Sequence, residues 1–407
     1  MGNKSSKIGE VVAQKYGVPL YGAGWVPKSA ANSVLESSQE DSTVAPPSTA
    51  PTVQDHVVIA GGGGEGHSGI RNALLLAKFD FESNSLSDQP VARLETGQDL
   101  PYRIAVHPGG EGLICSFPES CRWYEWGAAR NDDARSLNLR SSEKRLTHLE
   151  AVGQQLALAF NGEGSLLATG GEDGKLRVFK WPSMEIVLNE DNAYTSVKDL
   201  HFSLDGKFLV SVGSGPARVW DLTSLTAVAS LPKGNDERFC YCKFSGSSDD
   251  NQVLYIIAMQ SQGGYVSKWS TNSWKKISSN RVVKDAVCSF DVSPDGNLLA
   301  LGTINGDIRV ISSKNLKVNT LVKKAHLGLV TALSFSHDSR YVVSASMDSS
   351  TRVTKIKDEK KSGLKWWMVF LIILLAVAVA CVVKSKDLLP ELLDLEQFAK
   401  LKAGLYE

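Results

Sequence analysis

Short apolar runs of strand length, separated by turns rich in Asp, Gly and Ser, recur through most of this 407-residue chain. The recurring unit has an apolar residue at its start, a turn with Asp or Gly, a second apolar run, a small-residue turn and then Arg-Val. Four copies start at Phe160, Phe202, Val292 and Phe335, and each reaches its arginine 16 or 17 residues later. Alternation of short strands and tight turns predicts an all-β fold.

The spacing of these units predicts a closed ring of sheets. With a weaker copy at Phe244, the starting points lie 42, 42, 48 and 43 residues apart, near the ~40 to 45 residues of a four-stranded WD-repeat blade. Another weak copy leads to Trp123, and a divergent first blade is expected around Tyr16 to Leu94. One blade cannot bury both faces of its sheet, so the pattern predicts a seven-bladed β-propeller over residues 1–357.

The first blade is expected to be irregular. Residues 29–54 are rich in Ser, Pro, Ala and acids, which predicts a disordered loop. Its flanks, Tyr16–Pro27 and His56–Ala60, have the pattern of paired strands. Four glycines, Gly61 to Gly64, follow and would join the second and third strands of this blade. Because glycine lets another backbone or an ion come close, this cluster predicts a contact site.

Two phosphate-binding motifs compete for the glycine segment. Gly61, Gly63 and Gly66 fit G-x-G-x-x-G, and Gly61 to Ser68 fits the P-loop pattern except that His67 replaces its lysine. Both motifs need a helix N-terminus to hold phosphate, whereas strand-like segments without βαβ spacing follow here. A nucleotide site is therefore the less favoured interpretation.

Composition and candidate chemistry favour a binding protein. Lys plus Arg equals Asp plus Glu at 44 each, so no basic surplus points to nucleic acid. The six cysteines lack the spacing of a zinc site and are expected to be buried strand thiols. His326 is expected to brace a blade. Several aspartates are expected to bond turn N–H groups: Asp173, Asp205, Asp295 and Asp338. No catalytic constellation stands out, which predicts neither an enzyme nor a small-molecule substrate.

The C-terminal region indicates a membrane protein. Trp366 to Val383 is an 18-residue run without a charge or proline, and as a helix it would span ~27 Å. It predicts a transmembrane helix over 366–383, after a basic juxtamembrane linker over 358–365 and before a short lumenal tail over 384–407. That length suits a thin bilayer such as the endoplasmic reticulum.

Lysine counts predict the orientation of this anchor. Five lysines precede the run and two follow it within fifteen residues, so the large N-terminal part is expected in the cytosol. No apolar segment typical of a signal peptide opens the chain. The first six residues fit the N-myristoylation pattern at Gly2, which would add little to a spanning helix.

The chain resembles one known family. The features that carry the resemblance are residues 16–25, the run 59–64 with Asn72 eight positions after it, the blade array, Lys324–His326 and the terminal anchor. The family is the endoplasmic-reticulum WD-repeat guanine-nucleotide exchange factor that activates the COPII small GTPase, related to the animal prolactin regulatory element-binding protein. The resemblance covers nearly the whole chain and is nearest to plant members.

The resemblance implies specific site residues. In that family a loop from the first blade binds a potassium ion through backbone oxygens and contacts the GTPase. It implies a structural potassium loop at Gly61, Gly62, Gly63 and Gly64. It also implies GTPase-binding and exchange residues in the segment that follows: His67, Ser68, Gly69, Ile70, Arg71 and Asn72. For Asn72 a turn residue that bonds its own backbone stays the alternative.

The resemblance also leaves two functions open. One is a membrane-anchored exchange factor that promotes GDP release to start vesicle budding from the endoplasmic reticulum. The alternative is a non-exchanging WD-repeat scaffold or traffic facilitator that aids the exit of specific membrane transporters, as in a related plant group that lacks much of the glycine loop. The intact segment Gly61 to Asn72 favours the exchange factor.

Overall fold

The structure is a computed structural model, and it describes residues 13–31, 55–66, 68–131, 134–245, 252–357, 370, 371, 373–382 and 384. The chain divides into two compact units, Met1–Lys357 and Asp358–Glu407. Residues 32–54, His67 and Gly2 lie outside the described part, as does the juxtamembrane linker over 358–365.

The described part of the first unit is built from short strands and one 3₁₀ turn, Thr147–Leu149. The strands are β1 Gln14–Lys15, β2 Leu20–Trp25, β3 Asp55–Gly61, β4 Asn72–Asp80, β5 Ser85–Leu86, β6 Ala92–Gly97, β7 Ile104–Val106, β8 Gly112–Ser116, β9 Cys121–Asn131, β10 Ala134–Ser141, β11 Gln155–Phe160, β12 Leu166–Gly171, β13 Leu176–Lys180, β14 Ile186–Glu190, β15 Val197–Phe202, β16 Phe208–Gly213, β17 Ala217–Asp221, β18 Thr226–Leu231, β19 Arg238–Phe244, β20 Val253–Gln260, β21 Gly263–Ser270, β22 Lys276–Val283, β23 Val287–Val292, β24 Leu298–Thr303, β25 Ile308–Ser312, β26 Val318–Val322, β27 Val330–Phe335, β28 Tyr341–Ser346 and β29 Ser350–Lys355.

These strands form seven antiparallel sheets. In the first sheet β2, β3 and β4 lie side by side, and both β5 and β6 pair with β4. Each of the next five sheets consists of four consecutive strands. The first strands of neighbouring sheets pack side by side in the order β2, β7, β11, β15, β19, β23 and β27, and β27 returns to β2. The ring confirms the expected all-β seven-bladed propeller.

The core lies between neighbouring sheets. One cluster joins Val210 and Val219 of one sheet to Phe244 and Trp269 of the next, and each of these side chains is buried. Burial of apolar area between sheets is the main stabilising term in such a fold. The recurring apolar positions therefore face the adjacent blade.

The repeat unit maps onto the blades as expected. Phe160, Phe202, Val292 and Phe335 each end the first strand of a sheet, and their Arg-Val pairs lie in the third strand. The expected turn role of the aspartates is confirmed. For example, Asp205 accepts hydrogen bonds from the Ser203 hydroxyl at 2.6 Å and the Lys207 N–H at 3.2 Å.

The ring is closed by the N-terminal segment. β1 pairs with β29, with Gln14 opposite Thr351, and so adds the fourth strand to the last sheet. The expected pairing of the segment Tyr16–Pro27 with His56–Ala60 is confirmed, because β2 within the first segment pairs with β3. The outer edge of β29 offers unpaired backbone groups that β1 satisfies.

The start of the expected disordered loop is ordered. Residues 28–31 form a helical turn, in which Ala30 is fully buried against the cluster that contains Val26. The Ser29 hydroxyl donates a hydrogen bond to the Gly109 carbonyl at 3.2 Å. Packing of Ala30 thus fixes residues that composition alone assigned to a loop.

His326 braces the last blade, as expected. The imidazole is buried, with Nδ1 2.6 Å from the Ser350 hydroxyl and Nε2 2.7 Å from the Ser344 hydroxyl. Burial lowers the pKa of His326 to about 4, although Asp348 opposes the shift. The neutral ring is therefore a packing group at physiological pH.

The expectation of buried thiols holds for part of the cysteines. Cys115, Cys121 and Cys242 are buried, whereas Cys240 and Cys288 are partly exposed. Burial raises the pKa of Cys121 to about 12. A thiol with a raised pKa is a poor nucleophile, so these side chains fill space.

The second unit is helical at its described residues, which are 370, 371, 373–382 and 384. Its apolar side chains there are exposed, with Phe370 at 63% and Leu374 at 71%. Among these described positions, no helix has the length and apolar character needed to cross a bilayer. The expected span over 366–383 and the tail over 384–407 extend beyond the described residues.

Candidate functional site

The glycine segment joins β3 to β4, the second and third strands of the first sheet, as the sequence predicted. Residues 62–71 form the connecting loop, here called the glycine loop. The segment after it, Asn72–Asp80, is a strand with buried apolar side chains. Both phosphate-binding motifs need a helix at that point, so the geometry gives them no phosphate cradle.

Close packing explains the run of glycines. A Cβ atom built on Gly61 would lie 2.3 Å from the Pro19 carbonyl oxygen. A Cβ atom built on Gly62 would lie 2.1 Å from Asn72 Oδ1, and one built on Gly63 would lie 2.3 Å from Ser68 Oγ. Gly64 has φ +78, a conformation that favours glycine. The loop base is therefore a packed structure in which a larger residue would displace its neighbours.

The side chain of Asn72 holds this base together. It is buried at 2% exposure. Its Oδ1 accepts a hydrogen bond from the Gly64 N–H at 2.9 Å, and its Nδ2 donates to the carbonyls of Gly64 at 3.3 Å, Gly97 at 3.1 Å and Gln98 at 2.9 Å. These partners lie 8 to 26 residues away, so Asn72 is not a local turn residue. It ties the loop to the segment that follows β6.

Backbone contacts complete the base of the loop. The Gly62 N–H donates to the Pro19 carbonyl at 2.9 Å, and Asn72 lies opposite Gly97 at an irregularity in the β4–β6 ladder. The sequence did not identify Pro19, Gly97 or Gln98 as part of the site. Gly97, the last residue of β6, has φ +73 and is the local signal that marks this second segment.

The tip of the glycine loop is exposed. Ser68, Gly69, Ile70 and Arg71 are all exposed, and Ile70 is an apolar side chain with 37% of its surface open. Arg71 forms a 2.8 Å ion pair with Glu95, which contributes little to stability because both groups are solvated. An apolar side chain on a supported polar loop suits insertion into a partner pocket.

The potential metal ligands at this loop are neutral carbonyl oxygens rather than charged side chains. Among the residues that the structure describes, no group of three or more His, Cys, Asp or Glu side chains could hold a metal. At the loop base, however, three carbonyl oxygens lie within 3.3 Å of Asn72 Nδ2. Neutral carbonyls of this kind coordinate monovalent cations in other proteins.

Comparisons with known proteins identify relatives of this chain. The family model for the WD domain, G-beta repeat, matches residues 144–180 and 317–354. SEC12-like protein 2 of Arabidopsis thaliana is 47% identical over 371 residues, which cover 90% of this chain and 94% of that protein. SEC12-like protein 1 of the same plant is 29% identical and covers 79% of this chain and 80% of its own length. The guanine nucleotide-exchange factor SEC12 of Rattus norvegicus is 27% identical and covers 69% and 78% respectively.

Substitution at the loop base tests whether close packing shapes the loop. Gly62→Ala would place a methyl group against Asn72 Oδ1, so the hydrogen bonds of Asn72 must break or shift. We expect a loss of about 1–3 kcal/mol in the free energy of unfolding. Faster amide hydrogen exchange at Gly64 is also expected. Chemical denaturation and exchange mass spectrometry of the full chain measure the two effects.

Gly66→Ala is the matched control for this experiment. No heavy atom lies within 4 Å of a Cβ built on Gly66, so the same chemical change should leave both measurements near the wild-type values. Equal behaviour of the two variants would show that the packing of Gly62 against Asn72 does not control the loop.

Proposed function

The chain belongs to the SEC12-like protein family, and from this premise we propose that it is a guanine-nucleotide exchange factor. Its partner would be the COPII small GTPase, whose loading with GTP starts vesicle budding from the endoplasmic reticulum. The observation that carries the proposal is the glycine loop, in which the buried Asn72 amide supports an exposed tip with Ile70.

An exchange factor of this kind regulates a GTPase and performs no covalent chemistry of its own. It lowers nucleotide affinity because it binds the emptied GTPase more tightly than the loaded one, and linkage makes the two preferences reciprocal. The residues Ser68, Gly69, Ile70 and Arg71, with His67 between the described segments, would supply the contacts to the GTPase segments that grip the nucleotide.

The supported base favours such a role. A loop that is already ordered pays less conformational entropy when it binds than one that must fold on the partner. Hydrogen bonds between the Asn72 amide and the backbone of Gly64, Gly97 and Gln98 hold the base in one shape, together with the close packing of Gly61, Gly62 and Gly63. Asn72 would therefore promote exchange by positioning the tip, since its own side chain is buried.

We propose further that the loop holds a structural potassium ion. An amide nitrogen has two N–H groups, yet three carbonyl oxygens surround Asn72 Nδ2, so acceptors outnumber donors there. Backbone oxygens of Gly61 to Gly64, with Gly97 and Gln98 alongside, fit the preference of potassium for carbonyl ligands. The bound ion would compensate the clustered carbonyl dipoles and stiffen the loop.

Exchange of potassium for sodium tests this ion. The full chain in detergent should melt about 2 °C higher in KCl than in NaCl at equal ionic strength, because a ligand that binds the folded state stabilises it. Gly62→Ala should remove the difference, whereas Gly66→Ala should keep it. Identical melting in both salts would count against a potassium site.

The membrane attachment is also a proposal. The uncharged run over 366–383 and the exposed apolar side chains at its described positions, such as Phe370 and Leu374, support a single spanning helix. The lysines that precede this run favour a cytosolic propeller and a lumenal C-terminus. An anchor at the endoplasmic reticulum would activate the GTPase next to the membrane that receives it.

Alkaline carbonate extraction of cell membranes tests the anchor. The full chain should stay in the membrane pellet, and deletion of residues 366–383 should move it to the supernatant. A chain in which the same 18 residues are shuffled keeps the hydropathy and should stay in the pellet. Release of the full chain by carbonate would exclude a spanning helix.

Nucleotide release from the purified GTPase tests the exchange activity. We expect the full chain to accelerate release and Ile70→Ser to lower this acceleration at least about tenfold. Loss of one apolar contact worth ~1.4 kcal/mol of binding free energy corresponds to a factor of ten. Stability should change by less than about 0.5 kcal/mol, because Ile70 is exposed. Fluorescent GDP release and chemical denaturation measure the two quantities.

The control for Ile70 lies elsewhere on the propeller. Ile277, in β22, is 60% exposed, and Ile277→Ser should leave the exchange rate unchanged. Equal loss in both variants would mean that Ile70 is not a specific contact. A wild-type chain that binds but does not accelerate release would instead favour the non-exchanging scaffold or traffic facilitator.

A further inference from the structure

A large cavity opens at one end of the propeller axis, and the proposed exchange activity does not use it. It has a volume of about 770 Å³ and is lined by residues from several blades. A smaller space of about 140 Å³ continues from it between the first strands of the sheets. Arg103, Lys198 and Tyr241 line both spaces, so these residues lie where the two spaces meet.

Cations dominate the lining of this cavity. Arg103 precedes β7, Lys198 lies in β15, Lys233 lies between β18 and β19, and Arg238 begins β19. Glu172 is the single carboxylate among the described residues that line the large cavity, and Asp199 and Lys243 line the smaller space that continues from it. The chain as a whole carries equal numbers of basic and acidic residues, so the positive charge of the cavity lining is a local excess.

Among the described residues these cations form no ion pair with a carboxylate, although Arg103 lies near enough to Asp199 to oppose the rise in the pKa of that carboxyl. Arg103 is fixed by a 3.0 Å hydrogen bond to the Thr331 carbonyl and lies over the ring of Tyr102. The Lys233 ammonium donates a hydrogen bond to the Ser214 carbonyl at 3.4 Å. The side chains of Lys198 and Arg238 form no ion pair within the part of the chain that the structure describes.

The two unpaired cations lie close to each other. Burial raises the pKa of the Cys240 thiol, and both Arg238 and Lys198 oppose that shift, which places the two charges near the same sulfur atom. The Asp199 carboxylate lies near the same sulfur, where it adds to the rise in the pKa of Cys240, and its Oδ2 accepts the Cys242 N–H at 2.9 Å. One carboxylate beside several cations leaves a local excess of positive charge, which a bound anion would reduce.

We propose that this cavity binds a compact anion that carries several phosphate groups. Its volume lies within the ~300 to 1,000 Å³ of small-molecule sites. Arg and Lys are the side chains that proteins use for phosphate, through charge-assisted hydrogen bonds. Cations that converge from three sheets on one concavity suit a small ligand of high charge better than an extended acidic peptide. The proposal is independent of the exchange activity.

Titration calorimetry of the full chain in detergent tests the proposal, with inositol hexakisphosphate as the probe. Lys198→Gln combined with Lys233→Gln should weaken binding at least about tenfold, since each charge-assisted bond lost removes a favourable contact. The matched control is Lys314→Gln combined with Lys317→Gln, two exposed lysines in the turn after β25. It should bind as tightly as the wild type. Equal denaturation midpoints establish that both variants fold.

The outcomes separate the possible ligand classes. No binding by the wild type, or equal weakening in both double variants, would overturn the site. A hexaglutamate peptide that binds as tightly as the phosphate probe would also overturn it, in favour of an acidic segment of a protein. A short-chain phosphatidylinositol bisphosphate titrated in parallel identifies the source. Tighter binding than the free anion indicates a lipid headgroup, and weaker binding indicates a soluble ligand.

Discussion

The structure depends on closure of the ring of sheets. Each four-stranded sheet has two faces that must be covered, and a neighbour on each side covers both only when the ring is complete. The last sheet obtains its fourth strand from residues 14 and 15, which pair with Ser350 and Thr351. Backbone hydrogen bonds between the two ends of the propeller therefore secure burial that extends through every blade, because an open ring would expose two sheet faces to water.

A closed ring also makes a precise loop possible. The glycine loop emerges from two central strands of the first sheet, and β3 is buried along its whole length. The hydrogen bonds of Asn72 then connect the loop to Gly97 and Gln98 at the end of β6, on the outer side of the same sheet. The rigid sheet thus fixes both anchoring points, and the exposed Ile70 obtains a defined position without any helix to support it.

The sequence predicted what depends on near neighbours in the chain. The interval from Phe202 to its arginine lies within one blade, and the starting points of the units recur every 42 to 48 residues. The turns, the period and the seven-bladed count were predictable from these two spacings. Pairing of Gln14 with Thr351 joins residues more than 300 positions apart, and no local pattern records it. For the same reason the role of Asn72 as a clamp was not predictable, since its partners at 97 and 98 belong to another strand. The cationic cavity likewise gathers residues from distant blades.

The alternating direction of the strands decides which segments share an end of the propeller. Turns between first and second strands bond internally, as Ser203 with Asp205 and Ser336 with Asp338. Strands alternate in direction, so the opposite end carries both the starts of the first strands and the turns between second and third strands. Lys198 and Arg238 lie at such starts, and the glycine loop is such a turn. The exposed cations Lys198 and Arg238 and the glycine loop therefore lie at the same end of the propeller.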